Sequence, residues 1–160
     1  MTSYLEAVKH GKIYTSCLAD VLEVRKINRE AVLVIPLRGR AWQKVIPINS
    51  RALKLNNFDV RVELAPTPRL VKSFKRKLLN KEEFEMTYAL EMEQEKCSTS
   101  IDELAQISLS GITLVILGKP PSGHNCHRYV LGKLISKAVV NLSDSRHASK
   151  MKAYAGELTP

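Results

Sequence analysis

The stretch from Gly111 to Val139 constrains the fold most, because an apolar run, a polar turn and an amphipathic segment follow one another there without a gap. The apolar run, Ile112 to Leu117, is rich in β-branched residues and has the length of a buried strand. The later segment has apolar residues at the spacing of one helix face: Leu131, Leu134, Ile135, Ala138 and Val139. This order predicts a strand, a loop and a helix.

The start of that helix carries the chemistry of the stretch. Asn125 is a good N-cap, which places Cys126, His127 and Arg128 in the first helical turn. Free backbone N–H groups and the positive end of the helix dipole attract anions there and favour the thiolate form of a cysteine. The turn is therefore a candidate site.

A second candidate loop follows the apolar run Ala31 to Ile35, which predicts a strand ended by Pro36. The turn after it, Leu37 to Arg40, has two guanidinium groups flanking a glycine, and loops at the carboxyl ends of strands are where open α/β sheets bind ligands. A solvated hairpin turn is the alternative. The predicted anion-binding residues of the two loops are Arg38, Gly39, Asn125, His127 and Arg128.

The remaining strands are predicted from shorter patterns. β-Branched and aromatic residues predict a first strand over Lys12 to Cys17. Gln43 to Ile48 resembles a short edge strand because Pro47 cannot donate to a sheet. Asp59 to Leu64 alternates charged and apolar residues, which predicts a half-exposed strand and leaves a helix possible.

Three helices are predicted between residues 67 and 108 from their start signals. Thr67 as N-cap with Pro68 after it starts a helix through Leu79, and capping boxes at Asn80 and Ser100 start the next two, the last ending near Ser108. The residues predicted to face inward are Leu70, Val71, Phe74 and Leu78 in the first helix and Phe84, Tyr88 and Met92 in the second.

These elements predict a single three-layer α/β domain over residues 1–141, with a central, mostly parallel sheet and helices on both faces. We expect the strand Ile112 to Leu117 to be central, between the strands Lys12 to Cys17 and Ala31 to Ile35. The loops around Arg38 and Asn125 would then meet at one edge of the sheet. Residues 142–160 are polar without periodicity, which predicts a tail or a short docked helix.

The net charge of +9 favours a phosphate-bearing ligand, nucleic acid or an acidic partner, and a lysine-rich surface without a function is the alternative. The helix after Pro68 is basic and the next one is acidic, so mutual screening in a helical hairpin is favoured over a nucleic-acid groove.

The three cysteines lie far apart in the sequence, which argues against a disulfide framework and against a four-ligand zinc site. We expect a reducing, cytoplasmic environment. The N-terminus has no apolar core, and no apolar run approaches the roughly 20 residues of a membrane span. Neither export nor a membrane partner is expected.

Several interpretations of the turn at Cys126 stay open. Cys126 is a candidate nucleophile for sulfur transfer or phosphate-ester cleavage, although no adjacent base is identifiable. The favoured interpretation is an anion-binding module without covalent chemistry, in which Arg38 and Arg128 assist the helix N-terminus. A zinc site of His124, Cys126 and His127 would need a distant fourth ligand, and a purely structural turn is the remaining alternative. We predict no metal and no cofactor.

Several segments together resemble the domain-of-unknown-function-488 family. Members typically read I-Y-T at the start, R-G after a strand, L-A-P-S-x-E-L-L, W-E-E-F and, after a strand, C-H-R. The matching segments are Ile13 to Thr15, Arg38-Gly39, Leu64 to Val71, Lys81 to Phe84 and Cys126 to Arg128. The resemblance spans roughly Ile13 to Val139 and implies an intracellular α/β fold of prokaryotic type whose activity is not established.

The chain also departs from the pattern of that family. Many members have L-L-C-x-E at the end of the last strand, where this chain has Ile116, Leu117, Gly118 and Lys119. Their aromatic-Pro-Arg-Gly turn is replaced by Ile35 to Gly39, and the tryptophan of W-E-E-F by Lys81. If that cysteine or acid took part in the family's chemistry, this chain lacks it.

Overall fold

One sheet organises the molecule in the computed structural model, which describes residues 6–7, 12–44, 58–119 and 127–157. Within these ranges its strands are β1 (Glu6–Ala7), β2 (Ile13–Cys17), β3 (Val32–Ile35), β4 (Phe58–Val60) and β5 (Leu114–Gly118). Their order across the sheet is β1-β2-β5-β3-β4. Strands β2, β5, β3 and β4 run parallel to one another, and the short edge strand β1 pairs antiparallel with β2.

The central position of β5 confirms the expectation from its apolar run. All of its residues are buried, as is typical of a parallel strand that has a neighbour on each side and a layer on each face. The parallel register sets Cys17 of β2 opposite Gly118 of β5. The carboxyl ends of these strands therefore meet at one edge of the sheet.

The helices of the described ranges are α1 (Val21–Ile27), α2 (Pro68–Lys75), α3 (Lys81–Glu91), α4 (Glu95–Leu109) and α5 (His127–Glu157). One face of the sheet packs Val115 and Leu117 in a core with α1 and Trp42. The opposite face packs Leu114 and Ile116 in a core with α2, α3, α4 and α5. Because side chains alternate along a strand, β5 supplies both cores. The predicted three-layer α/β fold is confirmed.

Helix α2 starts as predicted but is shorter. Thr67 Oγ1 accepts a hydrogen bond from the backbone N–H of Leu70 at 3.3 Å, and Pro68 is the first helical residue. At its end Lys77 has a φ of 58°, and the N–H groups of Lys77 and Leu78 donate to the carbonyls of Phe74 and Ser73. This left-handed cap ends the helix at Lys75. The predicted inward position of Leu78 is wrong, since Leu78 is 68% exposed.

The two predicted capping boxes have different outcomes. The first is confirmed, because Asn80 Oδ1 accepts from the Glu83 N–H at 2.9 Å while Glu83 Oε2 accepts from the Asn80 N–H at 2.7 Å. The second is wrong, because α4 starts at Glu95 and Ser100 lies within it. The Ser100 hydroxyl instead donates to Glu63 Oε1 at 2.7 Å and joins α4 to the segment after β4.

Two short predicted strands are only partly present. Ala41–Lys44 form a 3-10 turn, so Gln43 is not in a strand, and residues 45–48 lie outside the described residues. Of the predicted strand from Asp59 to Leu64, the first two residues belong to β4, and Val62–Leu64 form another 3-10 turn.

Helix α5 passes through Asn141 without interruption and reaches Glu157. What changes after residue 141 is the burial of the side chains. Residues 143–149 are all exposed, whereas the earlier turns of the helix pack on the sheet and on α4. The polar sequence there reflects a helix that has left the core rather than a break in the helix. Among the described helices, none is both long enough and apolar enough to cross a membrane.

Candidate functional site

A cleft of about 560 Å³ lies at the carboxyl edge of the sheet, beside the ends of β3 and β5. We call it the basic cleft. The described residues that line it are Leu37, Arg38, Ala65, Pro66, Pro68, Val71, Lys72, Lys75, Arg76 and Lys119. The carboxyl edge is the place where open α/β sheets bind their ligands, and the cleft therefore lies where the two predicted loops were expected to meet.

Three parts of the chain bring cations to the basic cleft. Arg38 follows β3, and Lys119 follows β5 directly. Helix α2 adds Lys72, Lys75 and Arg76 from its second half and its C-terminal end. Residues far apart in the sequence are thus gathered because β3 and β5 are parallel neighbours and α2 packs next to their ends.

The Arg38 turn is held in place from both sides. Gly39 has a φ of +67°, a conformation that glycine adopts without the steric cost paid by other residues. Beyond it Trp42 is buried, with its ring edge-on to Phe58 at 6.1 Å between centroids. Arg38 Nε donates to the carbonyl oxygen of Pro66 at 3.4 Å, which uses only one of the several N–H donors of its guanidinium group.

The N-terminus of α2 already holds a carboxylate. The backbone N–H of Thr67 donates to Glu91 Oε2 at 3.0 Å, and the Thr67 hydroxyl donates to Glu91 Oε1. Glu91 comes from α3, so this contact fixes α2 relative to α3 and places negative charge where the helix dipole favours it. An anion in the basic cleft would therefore be held by the side chains of α2 rather than by its N-terminus.

The cations of the basic cleft have no carboxylate beside them among the described lining residues. The ion pairs in the described parts of the chain involve other cations, namely Lys26, Arg61 and Lys81. Helices α2 and α3 do pack together, with Phe74 and Phe84 at 4.8 Å between ring centroids. In the described residues, however, no ion pair joins the basic side chains of α2 to the acidic ones of α3.

His127 is directed into the protein. It is 7% exposed, its Nε2 donates to the Pro36 carbonyl oxygen at 2.9 Å, and its ring lies edge-on to Tyr88 at 5.4 Å between centroids. Burial lowers the pKa of His127 to about 4, with further lowering by the positive charges of Arg128 and Lys119. Its hydrogen bond joins the start of α5 to the end of β3, two residues before Arg38.

Arg128 joins the same helix start to β2. It is 5% exposed, and its Nη1 donates to the carbonyl oxygen of Ser16 at 2.9 Å and to Cys17 Sγ at 3.3 Å. Its guanidinium group also lies 5.0 Å from the ring centroid of Tyr129. Since the described contacts of His127 and Arg128 are with protein groups, direct binding of an anion by either residue stays a prediction.

The other residues of the predicted turn, His124, Asn125 and Cys126, lie outside the described residues. Of the remaining cysteines, Cys97 is buried, its Sγ donates to the Glu63 carbonyl oxygen at 3.2 Å, and burial followed by the charges of Glu63 and Glu91 raises its pKa. Within the described ranges no three His, Cys, Asp or Glu residues come together as a metal site.

The sequence predicts Arg38 and Gly39 as site residues but does not place Lys72, Lys75, Arg76 and Lys119 with them. The signal for three of them was present, since the outer face of α2 has basic residues and no acidic one. What the sequence lacked was the position of α2 relative to the ends of β3 and β5. Lys119 carried a weaker signal, as the residue that directly follows the central strand.

The parallel sheet with helices on both faces and the cleft at its carboxyl edge define the class of α/β domains whose sites lie at the strand ends. More particularly, residues 16–139 match the family model described as the active DUF488-N3 subclade, DUF488-N3a, and the chain belongs to the DUF488 family. The resemblance seen in the sequence is thereby confirmed. No match to the chain is found among the curated proteins or among the solved structures.

Proposed function

We propose that the protein binds a phosphate-bearing anion in the basic cleft. The observation that carries this proposal is the convergence of the cations Arg38, Lys72, Lys75, Arg76 and Lys119 at the carboxyl edge of the sheet, with no carboxylate among the described lining residues. Like charges that line one cleft repel one another, and a bound anion would relieve that repulsion.

The residues contribute in different ways to this proposal. Arg38 offers a planar guanidinium group that can donate two parallel hydrogen bonds to one phosphate, whereas the lysines act as point charges. Gly39 permits a close approach of the backbone. His127 and Arg128 support the site by joining the start of α5 to the ends of β3 and β2. Asn125 stays a predicted anion ligand.

Calorimetric titration with inorganic pyrophosphate at low salt tests the proposal. We expect Arg38→Ala to weaken pyrophosphate binding at least about tenfold, because a charge-assisted hydrogen bond contributes about 1.5–3 kcal/mol. The matched control is Lys133→Ala, which removes the same charge from an exposed position on α5. Equal weakening by both substitutions would indicate a general attraction of anions to a basic protein and would contradict a site in the cleft.

A cysteine-dependent enzyme is the second candidate function, and the description of the matching family as an active subclade favours it. In this proposal Cys126 is the nucleophile for sulfur transfer or phosphate-ester cleavage. The other cysteines have structural contacts, since Cys17 accepts from Arg128 and Cys97 donates to a backbone carbonyl. Cys126 directly precedes His127, whose side chain donates a hydrogen bond to the Pro36 carbonyl oxygen, two residues before Arg38.

Labelling with iodoacetamide distinguishes the proposal of a cysteine-dependent enzyme from the proposal of a binding module. If Cys126 is a nucleophile, we expect it to be alkylated rapidly near neutral pH, ahead of Cys17 and Cys97, and to be protected by pyrophosphate. Mass spectrometry of digested peptides would locate the label, with Cys126→Ser as the control. Alkylation of Cys126 only after denaturation would remove the enzyme proposal and leave the binding module.

A further inference from the structure

The basic cleft is lined by apolar residues as well as by cations, and this mixed lining carries an inference that rests on the proposed function. We infer that its ligand is a nucleoside diphosphate, with the two phosphoryl groups against the cations and the sugar and base against the apolar residues. Inorganic phosphate would need only the cations of such a cleft.

The apolar lining is part of the fold's framework. Leu37 is 8% exposed and belongs to the core under α1, and Ala65 and Pro66 are buried in the segment before α2. Pro68 and the half-buried Val71 continue this surface on the first turns of α2. Sites for small organic ligands are typically lined by apolar side chains with a few polar groups that fix the orientation.

The charge of the cleft favours more than one phosphoryl group. A phosphate monoester carries a charge of about −2 at neutral pH, whereas the described residues of the cleft supply Arg38, Lys72, Lys75, Arg76 and Lys119. A diphosphate brings further negative charge and more acceptor oxygens to these cations. The positive charge of the cleft thus fits a diphosphate better than a monophosphate.

The size and lining of the cleft favour a mononucleotide over a nucleic-acid strand. Its volume of about 560 Å³ lies within the range of roughly 300–1,000 Å³ that small-molecule sites occupy. Proteins that bind single strands usually present aromatic side chains on which successive bases stack. None of the described lining residues is aromatic.

The same lining predicts that the cleft binds the base of the nucleotide without distinguishing one base from another. No described residue that lines the cleft has a side-chain amide or carboxylate, the groups that read adenine and cytosine, and the arginines and lysines, which read guanine, are assigned to the phosphoryl groups here. Contact with Val71 and the prolines would depend on the apolar surface of the nucleoside. Adenosine and uridine diphosphates should therefore bind almost equally well.

Calorimetric titration of the full chain with ADP, AMP, adenosine, UDP and pyrophosphate tests the inference. We expect ADP to bind at least tenfold more tightly than AMP, adenosine or pyrophosphate, and UDP to bind within about threefold of ADP. The substitution Val71→Thr keeps the shape of the side chain and replaces one methyl group by a hydroxyl group, so ADP binding should weaken about threefold while pyrophosphate binding is unchanged. Val140→Thr, at an exposed position on α5, is the matched control.

Each other outcome has a definite meaning. Pyrophosphate binding as tight as ADP binding would overturn the nucleotide inference and leave the proposed anion site intact. Failure of every phosphate compound to bind would overturn both. Binding of a single-stranded oligonucleotide of ten residues more than tenfold tighter than ADP would assign the cleft to nucleic acid and overturn the inference as well.

Discussion

Tyr88→Ala is expected to lower the free energy of unfolding by about 4 kcal/mol, as is typical when a large buried aromatic side chain is truncated. Tyr88 is fully buried on α3 in the core below the sheet. Its hydroxyl donates to the Leu64 carbonyl oxygen at 2.7 Å, and its ring packs edge-on against His127. It therefore joins α3 to the segment before α2 and to the start of α5.

A conservative variant separates the packing of Tyr88 from its hydrogen bond. Tyr88→Phe keeps the ring and leaves a buried carbonyl without this donor, so we expect a loss of about 1–2 kcal/mol. Equilibrium unfolding in urea measures both values, with Met86→Ala on the exposed face of α3 as the control that should change stability little. A loss below about 1 kcal/mol for Tyr88→Ala would contradict the position assigned to the ring.

Acidification from about pH 7 to pH 4 is expected to remove about 3 kcal/mol of stability through His127. Burial lowers the pKa of His127 to about 4 in the folded protein, whereas its ordinary value is 6.5. Between these values the unfolded chain binds more protons than the folded one. The contribution of His127 is therefore fully present above the unfolded pKa and decreases as the pH falls towards the folded pKa.

The variant His127→Gln isolates this effect, because it removes the titrating group and keeps an N–H donor for the Pro36 carbonyl oxygen. Carboxylates titrate in both proteins and cancel in the comparison. We expect the stability advantage of the native chain over the variant to shrink by about 3 kcal/mol between pH 7 and pH 4, as measured by urea unfolding at each pH. An advantage independent of pH would show that His127 is accessible to protons in the folded protein.

The elements that the sequence predicts correctly are those with local causes. The apolar run of β5, the cap at Thr67 and the capping box at Asn80 each depend on residues within a few positions of one another. The start of α4 predicted at Ser100 is wrong because the five residues before it are also helical, and the Ser100 hydroxyl donates to Glu63 from another segment instead of capping the helix. The early end of α2 depends on a left-handed Lys77, for which the sequence offers no glycine as a signal.

The candidate site was predictable to a similar extent. Arg38 stands out because an arginine next to a glycine at the end of a buried strand is a local pattern. Whether His127 and Arg128 face a ligand or the core is decided by the ends of β2 and β3, which lie about a hundred residues away in the sequence. The grouping of Lys72, Lys75 and Arg76 with Lys119 depends on how α2 packs, and no local pattern contains that information.

Helix α5 is continuous, but its two parts differ in the stability of their backbone hydrogen bonds. At about 1.5 Å per residue its 31 residues extend about 46 Å, and its first turns are held by His127, Arg128 and the core. Residues 143–149 are exposed on every side, so their backbone hydrogen bonds are supported only by the helix itself. Amide exchange in this part then requires only fraying, whereas in the first turns it requires opening of the core. The boundary between two cooperative units of the fold thus lies inside a continuous helix.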